Sequence, residues 1–286
     1  MRKKLTALCL ALTLTLACAC ACACANATPL PVDLSPAPAA DEAGYLSERE
    51  YRDETLHVLI EDYERDDSVY HVAFVELADA SQQRTALSDA PGGKGKAAPS
   101  LIAQANNAVV AINGDYYLYR SRGYVMRQGE VLRKAGQGEL DLLLIDDAGD
   151  LHVVRKPAKS AVREALAGHA VVNAFSFGPV LVMDGEVQTV YNGYGFAPQD
   201  RSPRTAIGQL GPLRYALVVV DGRQKQSRGV THKQLATFMG ELGCTTAYNL
   251  DGGDTSTLIF HGQVFNSLSG DGERPISDII YAGTAR

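Results

Sequence analysis

From Ser68 onward the chain is a succession of short apolar segments separated by tight-turn chemistry, and that pattern limits the fold more than any other feature. Leu142–Ile145 and Leu151–Val154 flank Asp146-Asp147-Ala148-Gly149-Asp150, and Gly178–Met183 and Val187–Val190 flank Asp184-Gly185. Thr205–Gln209 and Tyr215–Val220 surround Gly211-Pro212; Thr257–Phe260 and Val264–Asn266 surround His261-Gly262. Aspartate and glycine reach the turn conformations that join antiparallel strands, so each pair predicts a hairpin. Further strands are expected at Thr55–Glu61, Val69–Leu77 and Ile276–Tyr281.

Two helices punctuate the strands. Pro99 starts one that carries Leu101, Ile102 and Ala105 and ends near Asn106-Asn107. The other opens on Thr231 and Gln234 at capping-box spacing. It continues with an apolar stripe of Leu235, Phe238, Met239 and Leu242, and stops at Gly243. The expected fold class is α+β: one domain, a mainly antiparallel or mixed β-sheet core and a few flanking helices. No repeat of 20–50 residues supports a solenoid or propeller.

Arg2, Lys3 and Lys4 precede an apolar run that reaches Ala25-Asn26-Ala27, the plan of a secretory signal peptide over residues 1–27. Residues 28–67 then read as a proline-rich linker and N-terminal extension, and 68–286 as the main domain. Export is therefore expected, with lipid tethering at Cys18 as the lesser alternative because Leu16-Ala17 precede it. All six cysteines except Cys244 fall within the signal, so no internal disulfide is available to the rest. The net charge is −6 before the three basic residues are removed, which argues against nucleic acid as a partner. No later segment is apolar for long enough to span a membrane.

Several chemistries can be set aside. The histidines at 57, 71, 152, 169, 232 and 261 have no H-E-x-x-H or H-x-H spacing, so a catalytic zinc centre is not expected. Gly92-Gly93-Lys94-Gly95-Lys96 follows no apolar strand and reads as a loop rather than a phosphate cradle. No G-x-S-x-G elbow is present.

Each helix feeds an apolar strand that ends in glycine and acid. Val109–Ile112 runs into Asn113-Gly114-Asp115-Tyr116, and Ala247–Leu250 into Asp251-Gly252-Gly253-Asp254 followed by Thr255, Ser256 and Thr257. Carboxyl ends of strands are common places for sites. Gly252 and Gly253 could present backbone amides to an anion, with Ser256 and Thr257 adding hydroxyls. Arg204, held by Pro203 at a strand start, could grip a phosphate or carboxylate bidentately. Tyr116, Tyr117, Tyr119, Tyr124, Tyr191, Tyr194 and Phe196 crowd the neighbouring loops with rings suited to sugar stacking.

Asn113-Gly114-Asp115-Tyr116, Ser176-Phe177-Gly178-Pro179, Pro203-Arg204-Thr205-Ala206-Ile207-Gly208 and Asn249-Leu250-Asp251-Gly252-Gly253 with Ser256-Thr257 together resemble the phosphodiester glycosidases. These are bacterial relatives of the lysosomal uncovering enzyme, N-acetylglucosamine-1-phosphodiester α-N-acetylglucosaminidase. The resemblance implies hydrolysis of a sugar 1-phosphodiester at the anomeric bond, in envelope or exopolysaccharide metabolism, with no cofactor. It sets Asp115, Asp251 and Arg204 as catalytic. Asn113, Gly114, Tyr116, Thr205, Gly252, Gly253, Ser256 and Thr257 are then the substrate-binding residues. Asp254 and Thr255 depart from the usual Gly-Gly-Gly-Ser-Ser-Thr continuation. Two other readings stay open: a phosphodiesterase holding Mg²⁺ or Ca²⁺ on Asp115, Asp251 and Asp254, and a non-catalytic glycan-binding protein.

Overall fold

The computed structural model describes residues 34–89, 91–134, 140–156, 158–190 and 198–285. The expected signal segment, Cys18, Tyr191, Tyr194 and Phe196 lie outside them. Strand Leu56–Arg65 pairs along its whole length with Ser68–Leu77. Asp66 and Asp67, at φ 54° and 50°, form the connecting turn, and two positive φ values are what a tight hairpin of the right twist requires.

These two strands belong to a nine-stranded sheet. Its order is Tyr45–Ser47, Glu50–Arg52, Leu56–Arg65, Ser68–Leu77, Arg214–Val220, Arg204–Gly211, Thr246–Asn249, Val180–Met183 and Glu186–Val187. Residues 45–65, set ahead of the domain by the sequence reading, are therefore its first strands. Leu56, Val58 and Ile60 alternate into the core while His57, Leu59 and Glu61 turn to the other face, the period-2 pattern behind the expected Thr55–Glu61 strand.

A second sheet, of five strands, runs Leu151–Val154, Leu142–Asp146, Val171–Ser176, Val125–Arg127 and Glu130–Arg133. A third, also of five, runs Gln263–Val264, Leu258–Phe260, Val110–Asn113, Asp278–Ala282 and Gln83–Leu87. Neighbouring strands are antiparallel throughout, so the α+β expectation holds in its antiparallel form.

One core joins the inner faces of all three sheets: Val75, Ile207 and Leu217 from the first, Leu143 and Phe175 from the second, Ile112, Leu258 and Ile280 from the third. Each outer face is covered by a helix. Helix α1 (Pro99–Ala105) sets Ile102 and Ala103 on Ala111, Ile259 and Ile279. Helix α2 (Lys159–Gly168) sets Val162 on Leu142, Leu144 and Ala174. Helix α3 (His232–Glu241) sets Leu235, Phe238 and Met239 on Val72, Val182 and Val218. Each fully buried leucine or phenylalanine stabilises the domain by roughly 1.5–3 kcal/mol.

Helix α3 keeps the expected capping box: Gln234 N–H donates to Thr231 Oγ1 (3.2 Å), and Thr231 N–H to Gln234 Oε1 (3.0 Å). Gly243 follows it at φ 85°, as a left-handed terminator. Helix α2 was not expected. Val162 is its only buried side chain, and its stripe is short: Ala165 and Leu166 are only partly buried beside it. Among the described residues no helix is long and apolar enough to cross a membrane.

Candidate active site

The two acidic strand ends meet at a seam between the first and third sheets. Asn113 closes strand Val110–Asn113, is 1% exposed, and donates from Nδ2 to Asp251 O (2.8 Å). Its Oδ1 accepts from Thr205 Oγ1 (2.8 Å) and from Thr257 N–H (3.1 Å). Asp251 N–H donates to Gly114 O (3.2 Å). Gly114 is required at this crossing, since a Cβ there would stand 2.2 Å from Asp278 Oδ2. Asn113, Gly114, Thr205, Asp251 and Thr257 thus come together as expected. Asn113, Thr205 and Thr257, however, spend their polar groups on bracing the seam.

A narrow cleft opens beside it, lined by Gly114, Tyr116, Tyr119, Asp251, Thr255 and Asp278 among others. Its enclosed part holds about 10 Å³, the space of one water molecule. Asp251 and Asp278 are the carboxylates on its lining. Burial pushes the Asp251 pKa up to about 6, although Thr255, the Gly252 amide and the charges of Arg120 and Arg274 pull the other way. Thr255 Oγ1 donates to Asp251 Oδ2 (2.8 Å) and Gly252 N–H to Oδ1 (2.9 Å), which fixes the carboxylate plane.

The two tyrosines of the cleft have cations around them. Tyr116, at φ 62°, turns its ring onto Tyr119, with centroids 4.1 Å apart and planes at 7°. Lys96 Nζ stands 4.1 Å from the Tyr119 centroid, with the Arg274 guanidinium 5.8 Å from the same ring. Arg120 lies 4.4 Å over Phe177 and 5.8 Å from the Tyr116 centroid. These three cations escaped the sequence reading. Each sits in an unpatterned loop, and Lys96 belongs to the glycine-rich segment read as a plain connection.

Other residues expected at the site are engaged elsewhere in the fold. Asp115 is fully buried; its Oδ1 accepts from Arg127 Nη2 (2.7 Å) and its Oδ2 from Ser176 N–H (2.9 Å). Arg127 Nε also donates to Asp278 Oδ2 (2.7 Å). Burial works against the Arg127 charge, but Asp115 and Asp278 outweigh it and hold the guanidinium pKa above its usual value. Asp115 thus sits in an ion pair with Arg127, away from the cleft lining. Arg204 is 5% exposed and grips its own chain, with Nε on Val230 O (3.1 Å), Nη2 on Asp200 O (2.7 Å) and Nη1 donating to His232 Nε2 (3.0 Å). Burial lowers its pKa to about 10.

The glycine amides form no anion nest either, because Gly252 N–H serves Asp251 and Gly253 N–H donates to Pro203 O (2.9 Å). Ser256 is buried outside the cleft lining. Asp254 accepts from Arg223 Nη1 (2.6 Å) and Ser269 Oγ (2.8 Å), and so is neutralised on its own side. Asp115 and Asp254 are each held by an arginine, and among the described residues the three aspartates of the Mg²⁺ reading do not form one group of ligand span.

A larger cavity, about 420 Å³, lies between the N-terminal strands and Gln263–Val264. His71 faces it, with Nδ1 2.7 Å from Asp62 Oδ1 and Nε2 3.1 Å from Asp221 Oδ2. Both ring nitrogens are engaged, and none of the motif residues line the cavity.

The phosphodiester glycosidase (NAGPA) family profile matches residues 106–282, which contain both acidic strand ends. The SPbeta prophage-derived uncharacterized protein YomE of Bacillus subtilis (strain 168) is 29% identical over 186 residues, 63% of this chain and 28% of that protein. The chain thus spans less than a third of that relative's length. The zebrafish N-acetylglucosamine-1-phosphodiester alpha-N-acetylglucosaminidase catalytic domain, solved auto-inhibited by its pro-peptide, superposes with a TM-score of 0.65 at 21% identity over 86% of each chain. A hypothetical protein from Synechocystis superposes with a TM-score of 0.58 at 16% identity, over 80% of this chain and 62% of that one. Both likenesses are of fold.

Proposed function

The chain belongs to the phosphodiester glycosidase family, and on that premise we propose that it hydrolyses a sugar 1-phosphodiester of the N-acetylglucosamine-1-phosphodiester type. The observation that carries the reading is Asp251: a carboxylate with a pKa of about 6, beside a water-sized space and two tyrosines with cations around them. A pKa near neutrality suits a general base, which must be ionised yet basic enough to take a proton.

In this mechanism the sugar ring lies against Tyr116 and Tyr119, and the phosphodiester faces Lys96, Arg120 and Arg274. A water in the cleft gives its proton to Asp251 as its oxygen attacks the anomeric carbon. The anomeric C–O bond breaks, and its electron pair leaves with the phosphate monoester, whose charge the cations neutralise. A phosphate ester departs without prior protonation, so one carboxylate suffices. Asn113 acts as a positioning residue through the Asp251 backbone. Direct attack by activated water inverts the anomeric centre.

Export supports the setting. The basic start and apolar run of residues 1–27 have the plan of a secretory signal, which supports an envelope setting for such an activity. Incubating the purified protein with a panel of sugar 1-phosphodiesters, with proton NMR of the released sugar, tests the assignment. Release with inverted configuration, persisting in chelator, is expected. No release from any member overturns the activity, and loss in chelator returns the metal-dependent alternative.

A further inference from the structure

Three side chains that this reaction does not use converge where strand Leu142–Asp146, strand Leu151–Val154 and the end of helix α2 meet. His152 Nε2 lies 2.7 Å from Asp146 Oδ2. The His169 ring stacks on His152 with centroids 3.6 Å apart and planes at 26°. One potential ligand atom from each residue falls within 4.8 Å of the other two, and all three residues are half-buried, open to an ion from solvent. Asp146 Oδ1 is tied down by the Ala148 and Asp150 amides (3.0 and 2.9 Å), which aims Oδ2 at His152. Such outer hydrogen bonds orient metal-binding carboxylates.

We propose that Asp146, His152 and His169 form a binding site for a divalent transition metal of the Zn²⁺ class. Two imidazoles with one carboxylate suit borderline metals, whereas Mg²⁺ and Ca²⁺ favour all-oxygen shells. Tetrahedral Zn²⁺ with bonds of about 2.0–2.1 Å spaces its ligands about 3.3 Å apart. Side-chain rotation therefore closes the site, and solvent takes the fourth position. The site lies at the far end of the second sheet from the cleft. On strand Val171–Ser176, Ser176 N–H meets Asp115, while Val171 pairs with Asp146. Its role is to clamp: the ion ties α2, which buries only Val162, to the hairpin beneath it. The histidines are 17 residues apart in the chain, and only the fold brings them together.

The test is Zn²⁺ titration of metal-stripped protein by calorimetry, with Co²⁺ absorption spectra and thermal melting in parallel. One Zn²⁺ per chain, tetrahedral Co²⁺ bands and a melting rise of at least about 3 °C are expected. His152→Ala and His169→Ala should each weaken binding at least ~tenfold. Asp146→Asn, which can keep the Oδ1 turn contacts, should do the same. His261→Ala, in another part of the fold beside Glu42, should bind as the wild type does. Absence of wild-type binding up to ~100 μM Zn²⁺ overturns the site, as does unchanged binding by His152→Ala and His169→Ala.

Discussion

Arg127 Nη2 stands 2.7 Å from Asp115 Oδ1, with the two side chains 1% and 0% exposed. The same guanidinium holds Asp278, so one buried cation joins the second sheet to the acidic end of the third. Removing it leaves two carboxylates facing each other out of water. Arg127→Gln should therefore cost about 3–5 kcal/mol in urea unfolding. A loss below ~1 kcal/mol would mean that solvent already screens the trio.

Arg204 belongs to the same class of internal support. Lysine keeps the charge but cannot reach Val230 O, Asp200 O and His232 together. Arg204→Lys should lower stability by about 1–3 kcal/mol and leave KM within ~threefold. An unchanged melting temperature with a tenfold loss in kcat/KM would return Arg204 to the substrate.

Lys96 and Arg274 sit on the rim by Tyr119, and both are exposed. Replacing both with alanine should raise KM about tenfold at low salt, with little change in melting. The effect should shrink as ionic strength rises. A KM independent of salt in the wild type would remove these cations from phosphate recognition.

The hairpins were legible because their turns are local: Asp146 to Asp150 and Asp184-Gly185 specify their own geometry. So was α3, whose cap and stripe lie within a dozen residues. The acidic strand ends were visible too, but not their division of labour. Asp115 looks like Asp251 in sequence, and what separates them is Arg127, together with an Asp278 that lies 151 positions beyond it. The cations were hidden for the same reason, since Lys96, Arg120 and Arg274 meet only through the tyrosine pair. Helix α2 was obscured because it shows most of its side chains to solvent.

The raised pKa of Asp251 has a stability counterpart. Between about pH 4 and 6 the folded chain binds a proton that the unfolded chain has released, so this group makes the fold less stable as pH rises through that window. Asp251→Asn removes the buried charge. It should be more stable than the wild type above pH 6 and equal to it below about pH 4. Urea unfolding at several pH values checks this; a variant less stable at pH 7 than at pH 4, relative to the wild type, would reverse the sign.

The pH profile of kcat/KM on a sugar 1-phosphodiester, measured for the wild type and Asp251→Asn, bears most directly on the assignment of Asp251 as the base. The wild-type rate should fall about tenfold per pH unit below a break near 6, as the carboxylate takes up its proton. Asp251→Asn should lie at least ~hundredfold lower at pH 7 and lack that break. A variant within ~threefold of the wild type, keeping the same acid limb, would contradict the account.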